Sequence, residues 1–197
     1  MSRSNALQQF IDASAVAFEH AATGPAASRA VEQIFSALAT PGAEKLPRGS
    51  RLPVCARLDD IFAGEWDHPS HRRVVDSFKL IEPALDWQCR RPPNRQASEN
   101  FPEGHANAMI VGPGGLEQRQ DIWLGVTLMA PGVRYPDHDH PPEEVYLVLS
   151  KGEWRQGAGS WFSPGVGGSL YNEPGITHAM RSSDTPLFAF WVLQANQ

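Results

Sequence analysis

A chain of 197 residues with a formal charge of −5 lacks the clustered Lys and Arg of a nucleic-acid surface, so no nucleic-acid partner is expected. Its 41% apolar and 20% charged residues exclude disorder and leave a soluble globular chain long enough to bury a core. No apolar run approaches the ~18 residues of a membrane span, and the first residues lack a signal-peptide core, so no membrane contact is expected. Cys55 and Cys89 have the spacing of neither a zinc site nor a disulfide framework, which fits a reduced, cytoplasmic compartment.

Helical periodicity dominates up to about residue 90. Leu7, Phe10, Ile11 and Phe18 share one helix face, and Val31, Ile34, Phe35 and Leu38 follow the i, i+3, i+4, i+7 pattern. Thr40-Pro-Gly stops the second helix, and the Pro/Gly/Arg-rich stretch 41–53 reads as loop. A third helix is expected from about Ser70, burying Val74, Phe78, Ile81 and Leu85, with Pro83 shortening or kinking it. His20, His68, His71 and His105 are isolated along the chain and read as surface or helix-end residues. The polar, proline-rich segment 90–100 reads as a linker. It separates a helical region, residues 1–90, from a β region, residues 91–197.

Beyond the linker, short apolar runs alternate with Gly and Pro. In Asp121 to Ala130 the residues Ile122, Leu124, Val126 and Leu128 fall on one face. Val145 to Leu149, Trp161-Phe162, Ser169 to Tyr171 and Leu187 to Leu193 are further strand candidates, and His178 begins another. Many short strands with such turns predict a mainly β sandwich or barrel.

Polar residues concentrate where one strand begins. His138, His140, Glu144 and Tyr146 are all even-numbered, so a regular strand points them one way, while Val145, Leu147 and Leu149 point into an apolar layer; Pro141 and Pro142 interrupt the strand, so the parity holds best within each half. Glu143, Asp137 and Asp139 have the other parity; Glu143 is expected to face outward and the aspartates to serve the turn. Unpaired polar groups on an apolar strand are expensive to bury, and a metal ion would satisfy them together. Three histidines and a carboxylate suit one divalent transition metal, with Fe, Zn or Mn foremost and Ni or Co also compatible.

The chain resembles a cupin. The first family motif is matched by Gly132, five residues, His138-Asp-His140, three residues and Glu144, with a glycine, Gly152, one residue late. The second is matched by Gly168, five residues, Pro174-Gly175-Ile-Thr-His178, one residue short between Pro and Gly, with Ser182 where the family has Asn. The resemblance implies a single cupin, a double-stranded β-helix or jelly-roll barrel, with the N-terminal helices as an extension packed on it.

Within the cupins, the helical N-terminal region, His-x-His-x-x-x-Glu followed at once by Val-Tyr, and the late Pro-Gly-x-x-His are similar to the bacterial dimethylsulfoniopropionate lyases. That resemblance implies metal ligands at His140, Glu144 and His178, with His138 as a fourth ligand or a close neighbour. It also implies Tyr146 at the metal and acting as the catalytic base. A zwitterionic substrate would need aromatic faces for its sulfonium, and Tyr135, Trp161, Phe190 and Trp191 are the candidates. Tyr135 also stands where it could gate the site or move a proton. Two other readings use the same ligands: an iron-dependent dioxygenase, and a non-enzymatic small-molecule sensor. A monomer or homodimer is expected.

Overall fold

The structure, a computed structural model, describes residues 3–45, 49–90 and 96–195. Helices α1 (Asn5–Ala21), α2 (Pro25–Leu38), α3 (Leu58–Phe62) and α4 (Pro69–Ile81) precede the barrel, and a short α5 (Phe101–Gly104) enters it. The Ser4 hydroxyl accepts from Leu7 N to cap α1, and Pro25 and Pro69 start α2 and α4, where a missing N–H costs nothing. Pro83 falls in a 3-10 turn directly after α4, so the helix ends where the proline demands.

The strands are β1 (Ala43–Glu44), β2 (Trp87–Gln88), β3 (His105–Val111), β4 (Glu117–Gln118), β5 (Ile122–Met129), β6 (Arg134–His138), β7 (Glu144–Val148), β8 (Glu153–Gln156), β9 (Ser169–Asn172), β10 (His178–Arg181) and β11 (Leu187–Gln194). Among the described residues they form a large sheet, β1-β4-β3-β5-β11-β7-β9 with β2 beside β3, and a small one, β6-β10-β8. This is the cupin-type barrel with N-terminal helices. The helical region also gives strands to it: Ala43–Glu44 pairs with Glu117–Gln118 inside the stretch expected to be loop, and Trp87–Gln88 pairs with β3. Of the expected linker, residues 91–95 lie outside the described residues. Trp161-Phe162 makes only an isolated bridge, from Phe162 to Trp154.

The large sheet lies between two apolar layers. Its Val145, Leu147 and Leu149, with Phe188, Phe190 and Val192, pack with Phe10, Ile34 and Phe78 of the helices. Its other face, with Tyr146, Val148 and Ala189, meets Tyr135 and Met180 of the small sheet. Three of the histidines read as isolated come together at the helix ends. His20 stacks on His68 with ring centroids 3.8 Å apart, and the buried His71 lies 5.4 Å from His68. No helix of the described residues is long and apolar enough to cross a membrane.

Candidate active site and metal centre

The space between the sheets is a cavity of about 480 Å³, within the range of small-molecule sites. Alternation decides who faces it: β7 contributes Glu144 and Tyr146, β5 Trp123 and Thr127, and β11 Trp191 and Leu193. From the small sheet, β6 and the turn after it bring Tyr135, His138 and His140.

His138 and His178 are direct cross-strand partners, which places their rings 4.2 Å apart. Glu144 reaches across from the large sheet, with Oε2 3.3 Å from His140 Nε2 and 3.4 Å from His178 Nε2. The ligand atoms of these three residues lie within 4.8 Å of one another, and no other described trio of His, Cys, Asp or Glu comes as close. His138 adjoins this trio without belonging to it.

Each imidazole is fixed by its other nitrogen. Nδ1 faces a backbone carbonyl in all three: Pro136 O for His138 at 3.0 Å, Pro142 O for His140 at 2.8 Å, and Ile176 O for His178 at 3.0 Å. A carbonyl only accepts, so Nδ1 carries the proton and Nε2 keeps its lone pair. The His178 Nε2 is buried with no hydrogen-bonding partner. A divalent transition metal fits this arrangement: two imidazole lone pairs and a carboxylate oxygen converge, and the orphaned nitrogen gains a partner.

Second contacts hold the carboxylate. The fully buried Asn172 donates to Glu144 Oε2 at 3.0 Å, and Gln156 donates to Asn172 Oδ1 at 2.8 Å. Burial pushes the Glu144 carboxyl up, but His140 and His178 hold it down at about 2. Burial and His178 pull His138 down to about 4. Burial also lowers His140, yet its contacts with Glu144 leave it raised.

Tyr146 is buried between Trp191 on β11 and Leu170 on β9. Burial first, then the Glu144 charge, hold its phenol well above the ordinary value. Tyr135 is also buried, and burial raises its phenol against the opposing Arg90 and Asn107. Its hydroxyl accepts from Arg90 Nη1 at 3.4 Å and Asn107 Nδ2 at 3.5 Å. Asn107 Oδ1 accepts from Thr127 at 2.6 Å, and Thr127 Oγ1 accepts from Trp191 Nε1 at 3.2 Å. The Trp191 indole lies over Gly125, where a Cβ would sit only 2.1 Å from the ring, so glycine is what lets the indole lie against the strand.

Two of the aromatic candidates lie elsewhere. Phe190 alternates with Trp191, so its fully buried ring joins Phe10 and Phe78 on the helix side. Trp161 sits outside the cavity among the guanidiniums of Arg134, Arg155 and Arg181, 4.4 to 5.6 Å from its ring. Glu143 does leave the cavity, but it is buried rather than outward, accepting the Tyr171 hydroxyl. Asp137 serves its neighbourhood by pairing with Arg134 and Arg155.

His105 is no surface residue. It is fully buried, stacked on Phe101 at 3.7 Å, with Nδ1 on the Phe101 carbonyl and Nε2 accepting from Arg90 N at 2.9 Å. Sequence reading missed Arg90, Asn107, Trp123, Thr127 and Asn172. For Asn172 a signal exists, because it shares the period-2 face of Leu170.

A family model described as dimethylsulfoniopropionate lyase matches residues 26–189. Dimethylsulfoniopropionate lyase DddQ of Ruegeria pomeroyi is 26% identical over 140 residues, covering 71% of this chain and 68% of that one. A crystal structure of DddQ from the same organism superposes with a TM-score of 0.75 at 19% identity, over 98% of this chain and 93% of that one. Another, reported among crystal structures of the lyases RdDddP and RnDddQII, gives 0.71 at 18%, over 97% and 93%. With residues 26–189 matched by that model and the fold shared over most of both chains, the chain belongs to the dimethylsulfoniopropionate lyase family.

Proposed function

We propose that this chain cleaves dimethylsulfoniopropionate to dimethyl sulfide and acrylate by a metal-dependent β-elimination that Tyr146 initiates. The observation that carries the reading is the shared face of β7, which turns Glu144 and Tyr146 into the cavity lined by His138 and His140, with Glu144 also reaching His178. A divalent transition metal held by His140, Glu144 and His178, with Fe, Zn or Mn foremost and Ni or Co suited, would supply Lewis-acid positive charge beside the phenol.

Such a charge is what Tyr146 needs. Burial and Glu144 disfavour its phenolate, and a nearby cation opposes both. As phenolate, Tyr146 takes the proton from the carbon next to the substrate carboxylate. The freed electron pair forms the carbon–carbon double bond, and the carbon–sulfur pair leaves with dimethyl sulfide. Trp191, held close against Gly125, offers an aromatic ring to the sulfonium, a contact worth roughly 0.5–2 kcal/mol. The Tyr135 hydroxyl accepts two hydrogen bonds, so its own proton is left to face the cavity and steady the negative charge that grows on the substrate as its proton leaves.

The test is headspace detection of dimethyl sulfide from purified protein and dimethylsulfoniopropionate under anaerobic conditions. Gas without oxygen, abolished in Tyr146→Phe, is expected. Oxygen-dependent turnover, or no gas under either condition, would overturn the lyase reading; gas from Tyr146→Phe at the wild-type rate would overturn the base assignment alone.

A further inference from the structure

The hydrogen-bonded relay Trp191–Thr127–Asn107–Tyr135 ends on a cation. Arg90 is exposed over part of its length, yet it lines the cavity and its guanidinium reaches the hydroxyl of the buried Tyr135. Among the described residues no carboxylate lies within 4 Å of that guanidinium, whereas Arg134 and Arg155 of the small sheet both pair with Asp137. The carboxylate that lines the cavity, Glu144, faces the His140 and His178 rings and accepts from Asn172.

The backbone fixes where this arginine stands. Arg90 N donates to Nε2 of His105, whose own proton is held by the Phe101 carbonyl. Tyr135 packs edge-on against both Phe101 and His105, at 4.9 and 5.5 Å. One buried imidazole therefore ties together the chain that carries Arg90 and the tyrosine that Arg90 touches. An arginine positioned in this way, with donors to spare, is a preformed receptor for a carboxylate. The other end of the relay is an indole face, suited to an onium group.

We propose that Arg90 binds the substrate carboxylate and selects sulfonium compounds that carry one over those that do not. The inference rests on the lyase reading for its substrate. It assigns Arg90 a binding role, with His105 as the residue that positions it.

The experiment compares wild type with Arg90→Gln and Arg90→Lys. The KM for dimethylsulfoniopropionate should rise about tenfold to a hundredfold in Arg90→Gln, with a smaller change in kcat and partial recovery in Arg90→Lys. Tryptophan fluorescence titrations supply a readout independent of turnover, using acrylate as the carboxylate probe and trimethylsulfonium as the onium probe. Arg90→Gln should weaken acrylate and leave trimethylsulfonium unchanged. Unchanged acrylate affinity, or equal loss of both probes, would overturn the anchor. If wild type releases no dimethyl sulfide but binds acrylate in an Arg90-dependent way, the lyase reading fails and the anchor stands. If wild type is a lyase and Arg90→Gln keeps its KM and its acrylate affinity, the anchor fails alone.

Discussion

Strand β11 carries two chemistries on alternate residues. Phe188, Phe190 and Val192 enter the layer shared with the helices, where Phe10 and Phe78 pack on the two phenylalanines tilted or edge-on at 5.1 to 5.6 Å. Ala189, Trp191 and Leu193 face the other sheet, and there Trp191 is held by a named hydrogen bond and a glycine beneath it. The helix side is a dry core whose energy comes from area and shape. The cavity side gains little from area and much from partners, because each polar group there must be satisfied or left for a ligand. Stability and chemistry are thus separable along one strand, and substitutions on the two faces should fail in different ways.

The sharpest contrast sets Tyr146 against its neighbour in the sheet. Removing the hydroxyl in Tyr146→Phe should cut kcat by about 10²–10⁴, the usual contribution of a general base, while the melting curve barely moves. On the helix side, Phe190→Ala should destabilise by about 3–5 kcal/mol in urea titrations, with kcat of the folded enzyme retained. If Phe190→Ala abolished turnover in a folded protein, the two faces would not be independent.

Part of this division is legible in the sequence. Parity gives Glu144 and Tyr146 one face of β7 and sends the odd residues of β7 into the apolar layer, whereas His138 and His140 reach the cavity from the opposite sheet, through β6 and the turn after it. The same rule, applied to Leu187–Leu193, excludes Phe190 from the cavity once Trp191 is admitted, since adjacent strand residues face opposite ways. Trp161 carried no such signal. Its position follows from three arginines supplied by three different strands. Arg90, Asn107, Thr127 and His105 were illegible for a related reason. Their roles arise from β3 pairing with β5, and from an arginine brought to a histidine fifteen residues on, and neither is a local pattern. Fold class followed from turn chemistry and motif spacing, while the cavity's polar relay depends on long-range register.

A smaller effect tests whether the cavity face is as tightly shaped as Trp191 implies. In Gly125→Ala the new methyl meets the indole, so the ring must lift from the strand. Overpacking of this kind costs about 1–3 kcal/mol. The displaced ring should also raise KM for a sulfonium substrate, measured by dimethyl sulfide release, more than it lowers kcat. A neutral outcome in both stability and KM would mean that the indole is free to move and is no fixed platform.

The gentlest test is by pH, and it asks whether the polar block around His105 contributes to stability in its neutral form. Burial holds this imidazole below its ordinary value, with the Phe101 carbonyl opposing and the Arg90 charge adding to the depression. The folded state therefore resists a proton that the unfolded chain accepts below about pH 6.5. Where the unfolded state binds more protons, stability falls as pH falls, so this contribution is intact above that pH and is lost below it. One such group gives a slope of at most about 1.4 kcal/mol per pH unit. Glutamine can accept from Arg90 N and donate to the Phe101 carbonyl without titrating, so His105→Gln should flatten the fall in urea midpoint between pH 7 and pH 5. Phe190→Ala should lower the midpoint at both pH values and leave the fall between them unchanged. Parallel slopes in wild type and His105→Gln would show that other imidazoles, the buried His71 or the half-buried His138, carry the acid sensitivity instead.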